Sequence, residues 1–203
     1  MSMEDYIAAR KEGVRQLHAL ESRGQDPYLP VLAELVPKLN QMPQVPLGLV
    51  QVELDQIEGT ATKGRTTAFA RGFLPLLEQD SEFATKWSLL YDGIVEDGLR
   101  QPIVALEYYN RFYVVEGNKR VSVMRRLDAV NIEANVTRIL PEAEDSERYR
   151  VYQEFLGFYA DTKINFIVFS REGSYEKLYK LTGKTPGEKW TPEDLFDFQS
   201  CFY

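Results

Sequence analysis

The chain has 203 residues, 44% of them hydrophobic and 12% aromatic, and its 24 Lys and Arg against 31 Asp and Glu give a formal net charge of -7. This is the composition of a folded globular chain, long enough for one well-buried domain or a core with added elements, and it excludes a disordered polyelectrolyte. The acidic balance argues against direct DNA binding by this chain alone, the single cysteine, Cys201, excludes an internal disulfide framework, and the single histidine, His18, argues against zinc.

Residues 1–13 are charged and hold no apolar run, so neither a secretory signal nor a membrane span is expected, and the cytoplasm is the expected location. Residues 4–23 are rich in Ala, Glu, Arg, Gln and Leu and precede Gly24, the pattern of a helix with a C-terminal stop. Past Pro27 and Pro30, Leu32, Leu35, Val36 and Leu39 fall at the spacing of a second amphipathic helix. Residues 1–42 therefore read as a helical hairpin. Its apolar faces suit docking on the core, which is the expected use, or on a second copy of the chain in a homodimer.

Pro43 and Pro46 mark a linker, and residues 47–57 alternate as a first strand. The segment 58–67 follows, with two glycines, four threonines, Lys63 and Arg65. It reads either as a polar surface loop or as a donor-rich lid. Phe69, Phe73, Leu74, Leu76 and Leu77 form an apolar run broken by Pro75. Ser81 suits the cap of a helix in which Phe83, Trp87, Leu90 and Ile94 share a core face, ending at Gly98.

Residues 103–108 and 112–115 are apolar, β-branched and aromatic, with a polar turn at Asn110 between them, and read as a hairpin. After Glu116-Gly117-Asn118-Lys119-Arg120, the residues Val121, Met124 and Leu127 take helical spacing, with Arg125 and Arg126 on the opposite face. A strand thus ends at Glu116 and a helix begins near Lys119. The first N–H groups of a helix lack intrahelical partners and carry the positive end of its dipole. Gly117 with Lys119 and Arg120 therefore forms a candidate phosphate cradle. Glu116 stands at its lip as a candidate metal ligand or general base, with Asn118 and Ser122 as hydrogen-bonding groups. The same residues also suit an ordinary strand-to-helix turn with two solvated cations.

Gly98-Leu99-Arg100-Gln101-Pro102-Ile103, a hairpin, and then Gly117-Asn118-Lys119-Arg120 opening a helix resemble the "G-L-x-Q-P-I" and "G-E-R-R" boxes of the ParB N-terminal domain and sulfiredoxin superfamily. The resemblance covers about 40 residues and implies an α+β fold, a small mixed sheet with packed helices. It implies a nucleotide at the second box, with Gln101 turned toward it and Lys63 and Arg65 closing over it from the loop. The residues do not distinguish CTP, ATP or ADP, and Mg2+ would accompany any of them. Sulfiredoxins carry a catalytic cysteine where Asn118 stands, so their cysteine chemistry is not expected here. ParB proteins have Glu at that position and a helix-turn-helix domain afterwards, and nothing past Pro141 reads clearly as one. Free serine kinases of this fold place an acidic residue and glycine ahead of the basic residues, as Glu116-Gly117 does.

Ile132, Ala134 and Val136 alternate as a further strand ending at Pro141. The C-terminal extension, residues 142–203, opens on a charge run and continues with an aromatic cluster at Tyr152, Phe155, Leu156, Phe158 and Tyr159. A helix stopped by Gly183 and a last helix opening at Thr191-Pro192 complete it. That helix runs into Cys201-Phe202-Tyr203 with no stop signal, as in a fragment of a longer protein. The core is expected over residues 47–141. The function implied is binding of a nucleotide or another phosphorylated small molecule, with Glu116-assisted phosphoryl transfer if the protein is an enzyme. The alternatives are a DNA-associated regulatory module with nucleotide as switch, and a scaffold without ligand.

Overall fold

The two apolar runs that begin at Ile103 and Phe112 form the centre of a sheet. The structure is a computed structural model that describes residues 2–64 and 66–201. Strand β5 (Ile103–Tyr108) and strand β6 (Arg111–Glu116) form an antiparallel hairpin, and Tyr109 and Asn110 both take positive φ in its turn. Strand β7 (Asn131–Ile139) lies parallel to β5 on its other side. Strand β1 (Gln44–Glu53) pairs antiparallel with β7 at one edge, and β2 (Ile57–Thr60) pairs parallel with β6 at the other. The sheet is therefore mixed, in the order β1-β7-β5-β6-β2. A separate two-stranded ladder joins β3 (Phe69–Ala70) to β4 (Leu74–Pro75).

Helices cover one face of this sheet. Helix α1 (Ser2–Glu21) and helix α3 (Glu82–Asp97) pack on each other, with Tyr6 and Trp87 edge to face at 5.4 Å between ring centroids. Helix α4 (Asn118–Arg126) lies beside α3. Ile103, Ala105, Val114, Ile132, Ala134 and Val136 supply the sheet side of the core, all at most 2% exposed. Ser81 caps α3 by accepting from the Ala84 N–H, as its position before the periodic run predicts. At the end of the core face the β5–β7 register sets Glu107 opposite Arg138, and the two form an ion pair although both are nearly inaccessible. Glu107 also accepts from the Asn110 N–H at 2.7 Å, tying the pair to the hairpin turn.

Two local expectations are corrected. The second helix of the hairpin is one turn, α2 (Leu32–Leu35), followed by a 3-10 turn at Leu39–Gln41. Pro37 explains this, because a proline disfavours helical backbone in the residue before it, and Val36 indeed leaves the helical region. Pro46 lies inside β1, not in a linker, which an edge strand tolerates because one side of its backbone needs no donor. Arg125, which the spacing sets on the face opposite Val121, Met124 and Leu127, is held by backbone carbonyls. Its guanidinium donates to the carbonyls of Gly72, Leu54 and Ile57, and burial lowers its pKa.

Contacts divide the chain into residues 1–140 and residues 141–203. The second unit consists of α5 (Glu147–Thr162), α6 (Ser174–Thr182) and α7 (Pro192–Ser200). Phe158, Tyr175, Tyr179 and Trp190 form its aromatic centre. The buried Asp161 carboxylate accepts from the Tyr179 hydroxyl and the Gly187 N–H. Gly183 takes the left-handed position after α6, and α7 opens with a complete Thr191/Asp194 capping box. Phe202 and Tyr203, which bear on how the chain ends, lie outside the described residues. No helix among the described residues is long and apolar enough to cross a membrane.

Candidate functional site

Strand β6 ends at Glu116 and α4 starts at Asn118, with Gly117 between them at φ 114° and ψ 20°. The glycine is needed twice over. The backbone angle is one that side chains disfavour, and a Cβ at Gly117 would lie 2.6 Å from Ile103 Cγ2. The close approach the glycine permits is therefore to the start of β5. Glycine also offers no side-chain acceptor to the first turn of α4, where α3, α5 and α7 have Ser81, Ser146 and Thr191.

Past Gly117 the predicted cradle divides. Lys119 holds its ammonium 4.8 Å from the centroid of the Phe83 ring, a cation–π contact, and lines a cavity of about 390 Å³. Thr67, Ser81, Glu82 and Lys86 line the same cavity, so it lies between the first turns of α3 and α4. Lys86 reaches Glu82 at 2.5 Å. Arg120 turns the other way, donating to the Pro102 carbonyl and to Glu116 Oε1, the latter at 3.0 Å. Its side chain is 16% exposed, against 71% for Glu116. Arg120 thus fastens α4 to the start of β5 and the end of β6. Together with Gln101 it lines a second cavity of about 270 Å³, whose walls include Leu90, Gly93 and Ile94 of α3.

The other predicted residues take different places. Ser122 points into the core, 4% exposed, and accepts from the Trp87 indole N–H at 2.9 Å. It stands among Val121 and Val123, which are equally buried, so α4 presents a broader inner face than the three-residue spacing shows. Lys63 pairs with Glu34 at 2.7 Å, and that hydrogen bond raises its pKa. Arg65 lies outside the described residues. Asn118 keeps its Oδ1 shielded from solvent with no protein hydrogen-bond partner. An acceptor in that state normally has a water or ligand donor.

The residues present do not fit a metal ion held by the protein. Glu116 shares its carboxylate with Arg120, and among the described residues there is no group of three or more His, Cys, Asp or Glu able to hold one. Thr67, Ser81, Glu82 and Lys86 were not singled out as site residues from sequence. The i, i+4 spacing of Glu82 and Lys86 after the Ser81 cap was visible there, but not that it faces Lys119 across some 35 residues.

No family model matches the chain, and no curated protein matches it. Among solved structures, sulfiredoxin from Arabidopsis thaliana is similar over 43% of this chain and 82% of that chain, at 20% identity and a TM-score of 0.31. The resemblance to ParB-like domains rests on the residues of the two boxes themselves.

Proposed function

We propose that residues 1–140 bind a phosphorylated small molecule, with nucleoside di- and triphosphates as the first class to test, in the cavity beside the first turn of α4. The observation that carries this reading is the convergence of Lys119 and Lys86, from two helices, on one cavity that Thr67 also lines. Two ammonium groups at one small cavity of an acidic chain favour a compact anion over a nucleic-acid surface. The start of α4 adds the positive end of a helix dipole, and the unpartnered Asn118 Oδ1 is an acceptor for a ligand hydroxyl or amine. Glu82 is the counter-ion that a phosphate would replace at Lys86.

The reading is one of binding without turnover. Phosphoryl transfer needs a group that positions or deprotonates the acceptor. Glu116 is the carboxylate nearest that role in sequence, and it is held by Arg120. Any Mg2+ would enter with the nucleotide, on phosphate oxygens and water.

Thermal unfolding against a panel of nucleoside phosphates, with and without Mg2+, tests the proposal. A ligand at about 100 times its dissociation constant adds about 2.7 kcal/mol. In a chain of this size that raises Tm by roughly 5 to 10 °C. The expected result is such a shift for at least one nucleotide, lost in Lys119→Ala and reduced in Lys86→Ala. No shift across the panel, or a shift unchanged in Lys119→Ala, overturns the proposal.

A further inference from the structure

The first turn of α4 carries Lys119 into its cavity, yet it starts on a joint that is free to turn. No side chain caps it, and Gly117 before it has positive φ and no Cβ to limit its backbone. Within the turn, the Val121 N–H donates to the Gly117 carbonyl at 3.1 Å, and the buried Val121 side chain holds the inner face. What ties the turn to the strands on either side of it is Arg120.

The Arg120 guanidinium lies against Gly117, where a Cβ would come within 3.3 Å of its Nη1. From there it donates to two strand ends at once, the Pro102 carbonyl just before β5 and Glu116 Oε1 at the end of β6. Those ends are themselves joined, because Val104 pairs with Glu116 across the ladder. Two acceptors at fixed positions suit the planar fork of an arginine, which a lysine does not reproduce. Arg120 lines one cavity, with Gln101, while Lys119 lines the other, with Lys86.

We infer that Arg120 is a positioning residue for the phosphate cavity: clasped by Pro102 and Glu116, it sets the direction of the first turn of α4, and with it the Lys119 ammonium, without touching the bound anion. This rests on the reading of that cavity as a phosphate site. A glycine joint without the clasp would present Lys119 in many directions, and binding would carry the entropy of selecting one. The clasp removes that cost before the anion arrives. The charge that meets the phosphate comes from Lys119 and Lys86, while Arg120 and Glu116 compensate each other as a charge-assisted pair.

Titration calorimetry of the full chain with ATP and with CTP, at about 150 mM salt to screen distant charges, compares Glu116→Ala with Glu116→Gln. Glu116 is 71% exposed, so neither substitution disturbs the core. Both remove the same negative charge, but only glutamine keeps an oxygen to which Arg120 can donate. For whichever nucleotide binds, the expected dissociation constant is at least about threefold weaker in Glu116→Ala than in Glu116→Gln. That difference should vanish when Arg120→Met is added to both. Equal affinities in the two Glu116 variants, or a difference that persists with Arg120→Met, overturn the inference. So does tighter binding in Glu116→Ala than in Glu116→Gln, the sign of a freed guanidinium reaching the phosphate. Failure of the cavity reading looks different: neither nucleotide binds the unaltered chain, or binding survives Lys119→Ala, and the inference falls with it.

Discussion

Gly117→Ala separates two costs that the strand-to-helix turn combines. The first is conformational: an L-residue forced into left-handed backbone loses about 1 to 2 kcal/mol. The second is steric. The new Cβ would sit 2.6 Å from Ile103 Cγ2 and 3.1 Å from Ile103 Cβ, well inside an ordinary carbon contact of about 3.5 to 4.0 Å. Ile103 is 0% exposed and has no room to retreat. Overpacking of this kind costs about 1 to 3 kcal/mol. Both costs together come to about 3 kcal/mol, a fall in Tm of roughly 6 to 12 °C. Gly24→Ala is the control, since Gly24 also has positive φ at +67° but a Cβ there meets nothing within 4 Å. It carries the conformational cost alone, about 1 kcal/mol. The entropy alanine removes from the unfolded chain is common to both variants, so their difference reports the overlap together with the less favourable φ of Gly117, 114° against 67°. The assay is thermal unfolding followed by far-UV circular dichroism. If Gly117→Ala loses no more than Gly24→Ala, the close approach of Gly117 to Ile103 is refuted.

Ser122→Ala should cost about 1 to 3 kcal/mol in urea unfolding, because it strands the buried Trp87 N–H. Arg138→Met should cost about 3 to 5 kcal/mol by leaving Glu107 charged and buried, and adding Glu107→Leu should restore most of it. Asp194 has its pKa pushed down from the ordinary 3.8 to about 2, chiefly by the Lys184 hydrogen bond and then by Thr191. Folded residues 141–203 therefore bind fewer protons here than the unfolded chain does. The contribution is present above about pH 4 and is lost as pH falls toward about 2, and Asp194→Asn should flatten that decline in Trp190 fluorescence.

Local signals carried much of the fold. The β5–β6 hairpin announces itself by two β-branched and aromatic runs around Asn110, and the caps of α3 and α7 by Ser81 and Thr191-Pro192. Strand β2 escaped notice because Ile57-Glu58-Gly59-Thr60 is four residues with no alternation, and its pairing with β6 and the bridge from Thr60 to Val31 are purely tertiary. The shortened α2 was legible in principle, since Pro37 lies within the apolar pattern that predicted it. In the site, the glycine and Lys119 could be placed by spacing alone. What spacing does not reveal is which neighbour each side chain meets. Arg120 is adjacent to Lys119 yet turns to Pro102 and Glu116, and Ser122 is drawn inward by an indole 35 residues away. The spacing set Arg125 on the face opposite Val121 and Met124 but could not show its three carbonyl partners, which lie 53 to 71 residues away in sequence.

The central claim is that a phosphorylated ligand occupies the cavity between the first turns of α3 and α4. Titration of the 15N-labelled chain with the nucleotide that stabilises it most, followed through the backbone amide resonances, addresses that directly. The account predicts that the largest shifts fall on Gly117, Asn118 and Lys119, with Ser81, Glu82 and Thr67 next, and that they vanish in Lys119→Ala. Shifts confined to residues 141–203 or to the outer face of β1, with the first turn of α4 unmoved at saturation, would contradict it.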